Sequence, residues 1–225
     1  MTTLARPPST SPRLRTLPGV YEPQHDTRLL AGALQREDIA GGAEVLDLGT
    51  GSGALALEAA RLGARVTAVD ISWRAVLSAR FNAMRRRQKI AVRHGDLASA
   101  VPGRSFDLVV SNPPYVPSPC AWPPKGASRS WDAGWDGRAL LDRVCDAAPA
   151  VLRPTGVLLV VHSALCGVEA TLDRLTAAGL RASVTERATI PFGPVLLSRL
   201  DWLRERGMPA AESLEELVIV RAVPA

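Results

Sequence analysis

The stretch VLDLGTGSGALAL, residues 45–57, decides the fold. An apolar run typical of a buried strand ends at Gly49, and a segment with helical apolar spacing follows it. The glycines between them, Gly49, Gly51 and Gly53, permit a tight turn and let a ligand come close to the backbone. The spacing is G-x-G-x-G rather than the G-x-G-x-x-G of dinucleotide-binding loops, and Asp47 beside it would repel a pyrophosphate and attract an ammonium or sulfonium group.

Strand and helix patterns alternate along the rest of the chain. The predicted strands are 43–49, 65–70, 90–96, 106–112, 156–163, 181–190 and 215–223, and the predicted helices are 26–37, 54–63, 72–87, 137–152 and 167–180. This alternation predicts an α/β fold with a doubly wound, mostly parallel sheet and helices on both faces. The last two strands flank a predicted helix within 191–207 and predict an antiparallel C-terminal edge.

The composition of the 225 residues is that of one globular domain, with 47% hydrophobic residues and a formal charge of +5. That charge permits a nucleic-acid partner without requiring one. The three cysteines lack the spacing of a disulfide framework or a zinc site, so no metal is predicted. No signal peptide or membrane span is apparent, and we expect a cytoplasmic protein. Residues 1–18, with four prolines, predict a disordered tail before a single domain over 19–225.

Two further acidic residues end predicted strands. Asp70 follows the second strand, where a carboxylate can receive two ribose hydroxyls, and Asp96 follows the third, where it can meet an adenine amine. Asp47 and these two converge on the crevice where open α/β sheets bind ligands. We therefore predict a cofactor site formed by Asp47, Gly49, Gly51, Asp70, Asp96 and Leu97.

The sequence SNPPYVP, residues 111–117, places a rigid polar corner at the end of the fourth strand. The side-chain oxygen of Asn112 and the carbonyl of Pro113 can together accept both hydrogens of a planar –NH₂ group, and Tyr115 can stack on its plane. We predict that Asn112, Pro113 and Tyr115 form the catalytic site and that Asn112 also borders the cofactor.

These motifs resemble those of the class I S-adenosylmethionine-dependent methyltransferases. The resemblance covers residues 20 to 223, through LDLGTGSG, Asp70 and Asp96, and it implies a seven-stranded sheet with a reversed final strand. GVYEPQHDTRLL, residues 19–30, is similar to the Y-x-P-x-x-D-T segment of the HemK-like glutamine methyltransferases. That resemblance implies that Thr27 contacts S-adenosylmethionine and that Tyr21 and Pro23 shape its cover. We call residues 19–30 the lead-in segment.

The chain resembles most the short form of that family, which lacks a separate N-terminal helical domain. About 18 residues precede the lead-in segment, and GWDGRALLDRV at 134–144 is similar to the short form's post-motif sequence. The loop 117–137, with Trp122, Trp131 and Trp135, is either a lid or packs onto the domain. The insertion 191–207 could extend a substrate groove or a partner interface, and the eukaryotic relative acts with a small zinc-binding activator subunit.

The favoured function is methylation of a glutamine side-chain amide in a protein, such as the Gly-Gly-Gln loop of a translation release factor. A small metabolite with an amide or amine is the second hypothesis, and a base of RNA or DNA is the third. A binding module without catalysis is disfavoured because the cofactor and acceptor motifs are both intact. No membrane partner is expected.

Overall fold

The computed structural model describes residues 13–39, 41–120, 123–209 and 213–225. Its centre is a seven-stranded sheet in the order β3-β2-β1-β4-β5-β7-β6. The strands are β1 (Glu44–Leu48), β2 (Arg65–Asp70), β3 (Ile90–His94), β4 (Phe106–Ser111), β5 (Leu152–Ser163), β6 (Leu180–Pro191) and β7 (Leu214–Pro224). Strands β1 to β5 are parallel, and β7 runs antiparallel to both of its neighbours. The predicted α/β class with a reversed final strand is confirmed.

Helices cover both faces of the sheet. They are α1 (His25–Arg36), α2 (Ala54–Arg61), α3 (Trp73–Arg85), α4 (Ala139–Val151), α5 (Val168–Ala177), α6 (Pro194–Ser198) and α7 (Leu200–Glu205). One apolar layer joins the sheet to α4 and α5, and the other joins it to α1, α2 and α3. Neighbouring residues of one strand face opposite layers, as Val45 and Leu46 of β1 do. Within the described residues no helix is long and apolar enough to cross a bilayer.

The C-terminal strands refine the prediction. The final strand β7 is the reversed one, but it lies between β5 and β6. The edge of the sheet opposite β3 is therefore formed by β6. Strands β6 and β7 pair from Leu180↔Pro224 to Pro191↔Leu214, with a register shift between Val184 and Glu186. Between these strands α6 and α7 form the insertion that the sequence predicted as one helix.

Asp26 stands just before the apolar spacing of the predicted helix 26–37, a pattern that predicts an N-cap, but it does not cap α1. The helix begins at His25 with Gln24 at its N-cap, and Asp26 lies in the first turn, 3% exposed. Its carboxylate accepts hydrogen bonds from the hydroxyls of Tyr21 and Tyr115 and, within the first turn, from the N–H of Thr27. The residue therefore belongs to the interior beneath the cleft described below.

The segment before the lead-in segment lies against α3. The backbone N–H of Arg15 donates to Asn82, the amide of Asn82 donates back to the Arg15 carbonyl, and the N–H of Leu17 donates to Ser78. These contacts differ from the disordered tail predicted over 1–18, since paired backbone groups tie residues 15–17 to the domain. Residues 1–12 of that predicted tail lie outside the described residues. The domain boundary at residue 19 stays a prediction.

Candidate active site

A cleft with a volume of about 670 Å³ opens at the carboxyl ends of the parallel strands. This is the position at which open α/β sheets bind ligands. Nearly all of the predicted site residues border it: Thr27, Gly49, Gly51, Asp70, Asp96, Leu97, Asn112, Pro113 and Tyr115. Asp47 is the exception. The structure therefore brings the predicted cofactor and acceptor residues to one cavity, while their roles stay predictions.

The glycine loop and Asp70 form a cradle for a ribose-bearing ligand. Gly49 and Gly51 have φ of +73° and +54°, and a Cβ added at either would point into open space. The N–H of Gly51 donates to Asp70 Oδ2 at 2.9 Å, and the N–H of Ser72 donates to Asp70 Oδ1 at 2.8 Å. Burial raises the pKa of Asp70, and these two N–H groups oppose that rise. Each carboxylate oxygen keeps acceptor capacity for a hydroxyl, so the residues present fit S-adenosylmethionine.

Asp47 lies beneath the loop rather than in the cleft. It is 1% exposed, and its Oδ2 accepts hydrogen bonds from Thr50 Oγ1 at 2.6 Å and from the N–H of Ala56 at 3.1 Å. Burial raises its pKa to about 7. Its Oδ1 has no hydrogen-bond partner among the described residues. In this position Asp47 braces the loop and the start of α2, and its predicted contact with the cofactor is not seen at the cleft wall.

Asp96 and Leu97 occupy the far end of the cofactor side. Asp96 Oδ2 is 2.7 Å from Arg143 of α4, and both side chains are close to half exposed. Leu97 has φ of +46°, a left-handed conformation that is unfavourable for a leucine. Backbone strain of this kind is held in place by surrounding structure and concentrates at ligand sites. Leu97 and the exposed Ile71 both border this part of the cleft and offer apolar surfaces for a flat base.

The acceptor corner presents two oxygen atoms. Asn112 Nδ2 donates to Thr27 Oγ1 at 3.1 Å, so the nitrogen end of the amide is engaged inside the protein. No described residue donates to Asn112 Oδ1 or to the Pro113 carbonyl, although both residues border the cleft. Two free acceptors at one corner suit a planar –NH₂ group, which has two hydrogens to donate.

Tyr115 is anchored by a carboxylate that sequence reasoning missed. Its hydroxyl donates to Asp26 Oδ2 at 3.0 Å, and the hydroxyl of Tyr21 donates to the same oxygen at 2.8 Å. Burial, and then the charge of Asp26, raises the pKa of both tyrosines well above the usual value, so both hydroxyls stay donors. Asp26 is part of the Y-x-P-x-x-D-T pattern, which was the available signal, but its helical setting suggested a cap.

Glu215 is a second buried acid near this corner, and no sequence motif marks it. It is 7% exposed at the start of β7, and its Oε2 has no hydrogen-bond partner within the described parts of the chain. Burial raises its pKa to about 7, the hydroxyl of Ser163 lowers it, and the charge of Asp26 adds to the rise. A carboxyl group with this pKa is partly protonated near pH 7.

The acceptor corner is supported from behind by Gly137 and Cys166. A Cβ added at Gly137 would lie 2.3 Å from the Tyr115 carbonyl oxygen and 2.8 Å from Cys166 Sγ, and the glycine has φ of +74°. The thiol of Cys166 donates to the same Tyr115 carbonyl at 3.0 Å. Arg138, which follows Gly137, donates to the carbonyl oxygens of Cys166 and Gly167. The G-R pair of the post-motif sequence thus holds the backbone of Tyr115 in place.

The tryptophan-rich loop divides between the cleft and the insertion. Trp131 borders the cleft. The ring centroids of Trp135 and of Trp202 in α7 lie 6.0 Å apart, and the guanidinium group of Arg206 lies over both rings. Trp122 lies outside the described residues. Arg199 ties the two segments together, through a 2.8 Å hydrogen bond to the Pro117 carbonyl and an ion pair with Asp132. The insertion therefore packs against the loop and against Val116, which follows Tyr115, while none of its described residues borders the cleft.

Comparison with known proteins agrees with this geometry. The profile of the methyltransferase small domain family matches residues 12–119. A protein of Methanocaldococcus jannaschii whose assigned name is protein N5-glutamine methyltransferase is 33% identical over 187 residues, which is 82% of this chain and 93% of that protein. The release factor glutamine methyltransferase of Bordetella pertussis is 39% identical over 174 residues, which is 73% of this chain and 64% of that protein.

Two solved structures share the fold over nearly the whole chain. The Mtq2–Trm112 complex of E. cuniculi, responsible for methylation of the translation termination factor eRF1, has a TM-score of 0.66 and 26% identity over 92% of this chain and 99% of that one. The T. thermophilus 16S rRNA N2 G1207 methyltransferase, in complex with AdoMet and guanosine, has a TM-score of 0.65 and 25% identity over 93% of this chain and 46% of that one.

Proposed function

The chain belongs to the HemK-like glutamine methyltransferases, a family of class I S-adenosylmethionine-dependent methyltransferases, and we propose that it methylates the side-chain amide of a glutamine in a translation release factor. The observation that carries this proposal is the acceptor corner. Asn112 Nδ2 is bound to Thr27, which leaves Asn112 Oδ1 and the Pro113 carbonyl as acceptors beside the cofactor cradle. A primary carboxamide supplies the two hydrogens that this pair can accept.

The residues of the cleft hold the acceptor nitrogen and shift electron density toward it. When bound, S-adenosylmethionine supplies a methyl group that is attached to a positively charged sulfur. The amide nitrogen accepts this methyl group and loses one proton. An amide nitrogen is a weak nucleophile because its lone pair is delocalised into the carbonyl group. Hydrogen bonds from both N–H groups to Asn112 and Pro113 increase the density on nitrogen and fix the direction of its lone pair. Asp70 and the glycine loop hold the ribose side of the cofactor.

A protein substrate is favoured by the relatives and by the architecture of the cleft. Both curated relatives carry names of glutamine methyltransferases, and the Mtq2 complex acts on a termination factor. Trp131 of the tryptophan-rich loop borders the cleft, and Arg199 ties that loop to the insertion, so a folded protein that enters the cleft would meet both segments. The chain spans 64% of the length of the Bordetella relative. That this chain recognises a release factor is therefore part of the proposal.

A base of ribosomal RNA is the second candidate for the acceptor. The exocyclic amine of guanine is also planar and also has two hydrogens, and the rRNA methyltransferase with bound guanosine matches this chain nearly as well as Mtq2 does. Arg129 and Arg143 border the cleft and could receive phosphates. The assay for release factors therefore includes RNA as an arm.

A protein partner is proposed for the exposed face of α3, since the Mtq2 structure is a complex with Trm112. Trp73, Leu77, Phe81 and Met84 form one stripe, each at least 45% exposed. The stripe adjoins β3, which is the first strand of the sheet and has an unpaired side in the described chain. An apolar stripe beside a free strand edge fits a small subunit that adds a strand and covers the helix.

The partner is tested by co-expression with a small zinc-binding protein of the source organism, followed by calorimetric titration of the purified pair. We expect binding to be lost in Phe81→Glu and kept in Leu197→Glu, a matched change at an exposed leucine of α6. Binding that survives Phe81→Glu would contradict the assignment of this face.

The enzymatic proposal is tested with labelled S-adenosylmethionine against purified release factors and against total RNA of the source cell. We expect label on a release factor with the wild-type chain and labelling that is slower by roughly 100- to 1000-fold with Asn112→Ala. Label in RNA, or cofactor binding with no label on either macromolecule, would overturn the release-factor proposal and direct the search to RNA or to small amides.

A further inference from the structure

We propose that Asp26 and Thr27 set the orientation of the Asn112 side chain, so that it presents its oxygen and not its nitrogen to the methyl acceptor. This proposal rests on the proposed function, because it concerns how the acceptor –NH₂ group is received. Asp26 and Thr27 act here through Asn112 and are positioning residues. The resemblance to the HemK-like family implies a different role for Thr27, contact with the cofactor.

Three side chains form a hydrogen-bonded chain whose direction is fixed by chemistry. Thr27 Oγ1 lies 3.2 Å from Asp26 Oδ1 and 3.1 Å from Asn112 Nδ2. A carboxylate accepts hydrogen bonds and has none to donate, so the Thr27 hydroxyl donates to Asp26. The lone pairs of that hydroxyl are then left to accept, and the only donor of a carboxamide is its nitrogen. Asn112 must therefore turn its nitrogen inward and its oxygen away from Thr27.

The carboxylate of Asp26 is held as an acceptor by its surroundings. Its Oδ2 receives the hydroxyls of Tyr21 and Tyr115, and its Oδ1 receives the N–H of Thr27 as well as the Thr27 hydroxyl. Four donors from three residues thus surround one carboxylate. Asp26 and Thr27 border the cleft but are only 3% and 7% exposed, so little of either side chain is open to water that would compete for these hydrogen bonds.

The orientation has a direct consequence for substrate choice. An outward oxygen on Asn112, together with the Pro113 carbonyl, selects a group that donates two hydrogens. A reversed Asn112 would point its own N–H groups at the acceptor nitrogen, where two donors face each other and neither is satisfied. The chain from Asp26 through Thr27 therefore favours glutamine over glutamate before any contact with the rest of the substrate.

The test compares Thr27→Val, which has nearly the same shape and no hydroxyl, with Thr27→Ser, which keeps the hydroxyl. We expect Thr27→Val to lower kcat for release-factor methylation by roughly 10- to 100-fold through misplacement of the amide. Affinity for S-adenosylmethionine and KM for the release factor should change less than about threefold, and Thr27→Ser should recover most of kcat. A loss of cofactor affinity that matches the loss of rate would overturn the proposal and support the cofactor contact.

A double-mutant cycle isolates the action through Asn112. In the Asn112→Ala background the amide is absent, so we expect Thr27→Val to reduce the residual rate by less than about threefold. An equal loss from Thr27→Val in both backgrounds would show that Thr27 acts elsewhere and would contradict the proposal.

The orientation can also be measured without any acceptor. The sequence has two asparagines, Asn82 and Asn112, so selective ¹⁵N labelling of asparagine gives two side-chain amide signals. We expect Thr27→Val and Asp26→Ala, neither of which adds an asparagine, to shift the Asn112 –NH₂ signal and speed its hydrogen exchange, while the Asn82 signal stays unchanged. An unmoved Asn112 signal would contradict the proposal. If the wild-type chain methylates no release factor, the proposed function fails, and this measurement still decides the orientation separately.

Discussion

The cofactor half and the acceptor half of the cleft are built in different ways. The cofactor half, formed by the glycine loop and the ends of β2 and β3, joins consecutive strand ends: Asp70 accepts the N–H groups of Ser72, two positions away, and of Gly51, 19 positions away. The acceptor half, formed by residues 112–116 with the lead-in segment and packed against the insertion, joins residues much further apart in the sequence. Tyr115 reaches Asp26 across 89 positions and Asn112 reaches Thr27 across 85.

This difference predicts that the two halves fail separately. A local motif can bind the cofactor even where the acceptor corner is damaged, because its hydrogen bonds do not pass through that corner. The acceptor corner depends on the packing of several segments, so it should be sensitive to changes that never touch a ligand. The substitutions below test that separation, from the largest expected effect to the smallest.

Replacement of Asn112 by alanine should have the largest effect on the reaction. It removes one of the two acceptors for the amide hydrogens, and loss of one such preorganised group lowers kcat by roughly 100- to 1000-fold. Cofactor affinity, measured by calorimetric titration, should stay within about threefold of the wild type. An equal loss of cofactor affinity in Asn112→Ala would break the separation of the two halves.

Replacement of Asp70 by asparagine should give the opposite result. It exchanges a charge-assisted acceptor pair for a single neutral one, which weakens cofactor binding by roughly 10- to 100-fold. At saturating S-adenosylmethionine the rate of transfer should return to near the wild-type rate. Asp96→Asn is the comparison, since the Asp96 carboxylate is exposed and already paired with Arg143, and its effect on affinity should be smaller. A defect in Asp70→Asn that saturation does not repair would contradict this account.

Gly137→Ala should damage the acceptor half from outside the cleft. The new Cβ would lie 2.3 Å from the Tyr115 carbonyl oxygen in a backbone with φ of +74°, and strain with such a clash destabilises by about 3 kcal/mol or more. Gly134→Ala is the matched control, with φ of +79° and a nearest contact of 3.7 Å, and should lose only about 1 kcal/mol. Chemical denaturation measures both. Equal losses would show that Gly137 is needed for its φ alone.

Glu215→Gln should stabilise the protein above neutral pH. The pKa of Glu215 is raised from 4.5 to about 7 by burial, so the folded state keeps a proton that the unfolded state releases above pH 4.5. Stability from this group is complete at low pH and falls as pH rises toward 7. At pH 8 the glutamine should add up to about 3 kcal/mol, and near pH 4 it should add little.

Thermal or urea unfolding of both proteins across this pH range provides the measurement. In Glu215→Gln the hydroxyl of Ser163 can still donate to the side-chain oxygen of the glutamine. The negative charge of Glu215, which repels Asp26, is removed. A benefit of Glu215→Gln that is constant between pH 4 and pH 8 would contradict the raised pKa of Glu215.

Sequence reasoning succeeded where the structure is local. The glycine loop, Asp70 and the polar corner at Asn112 were each marked by a strand end and a short motif, and the alternation of elements predicted the sheet with its reversed strand. It failed where a residue takes its role from contacts distant in sequence. The sequence position of Asp26 indicates a helix cap, and only the structure shows its contact with Tyr115. The position of Asp47 at a strand end indicates contact with the ligand, and only the structure shows that the glycine loop covers it.

The position of β7 and the role of Glu215 were beyond the sequence for the same reason. Strand patterns give the number of strands and their apolar faces, but they do not say which neighbour a strand inserts beside. Glu215 lies in a strand of ordinary pattern, and its burial beside Asp26 follows only from the insertion of β7 between β5 and β6. Likewise, the apolar residues of α6 and α7 predicted a helix, but they did not indicate the contacts through which Arg199 ties this insertion to the tryptophan-rich loop.

The central claim is that the acceptor corner selects a group that donates two hydrogens. The most direct measurement uses the release factor of the source organism with the glutamine of its Gly-Gly-Gln loop, and the same factor with that glutamine replaced by glutamate. Methylated products are identified by mass spectrometry before and after mild base, which removes methyl esters and leaves methyl amides. The account predicts a base-stable methyl group on the glutamine protein and none on the glutamate protein. Comparable methylation of both, with a base-labile product on glutamate, would contradict it.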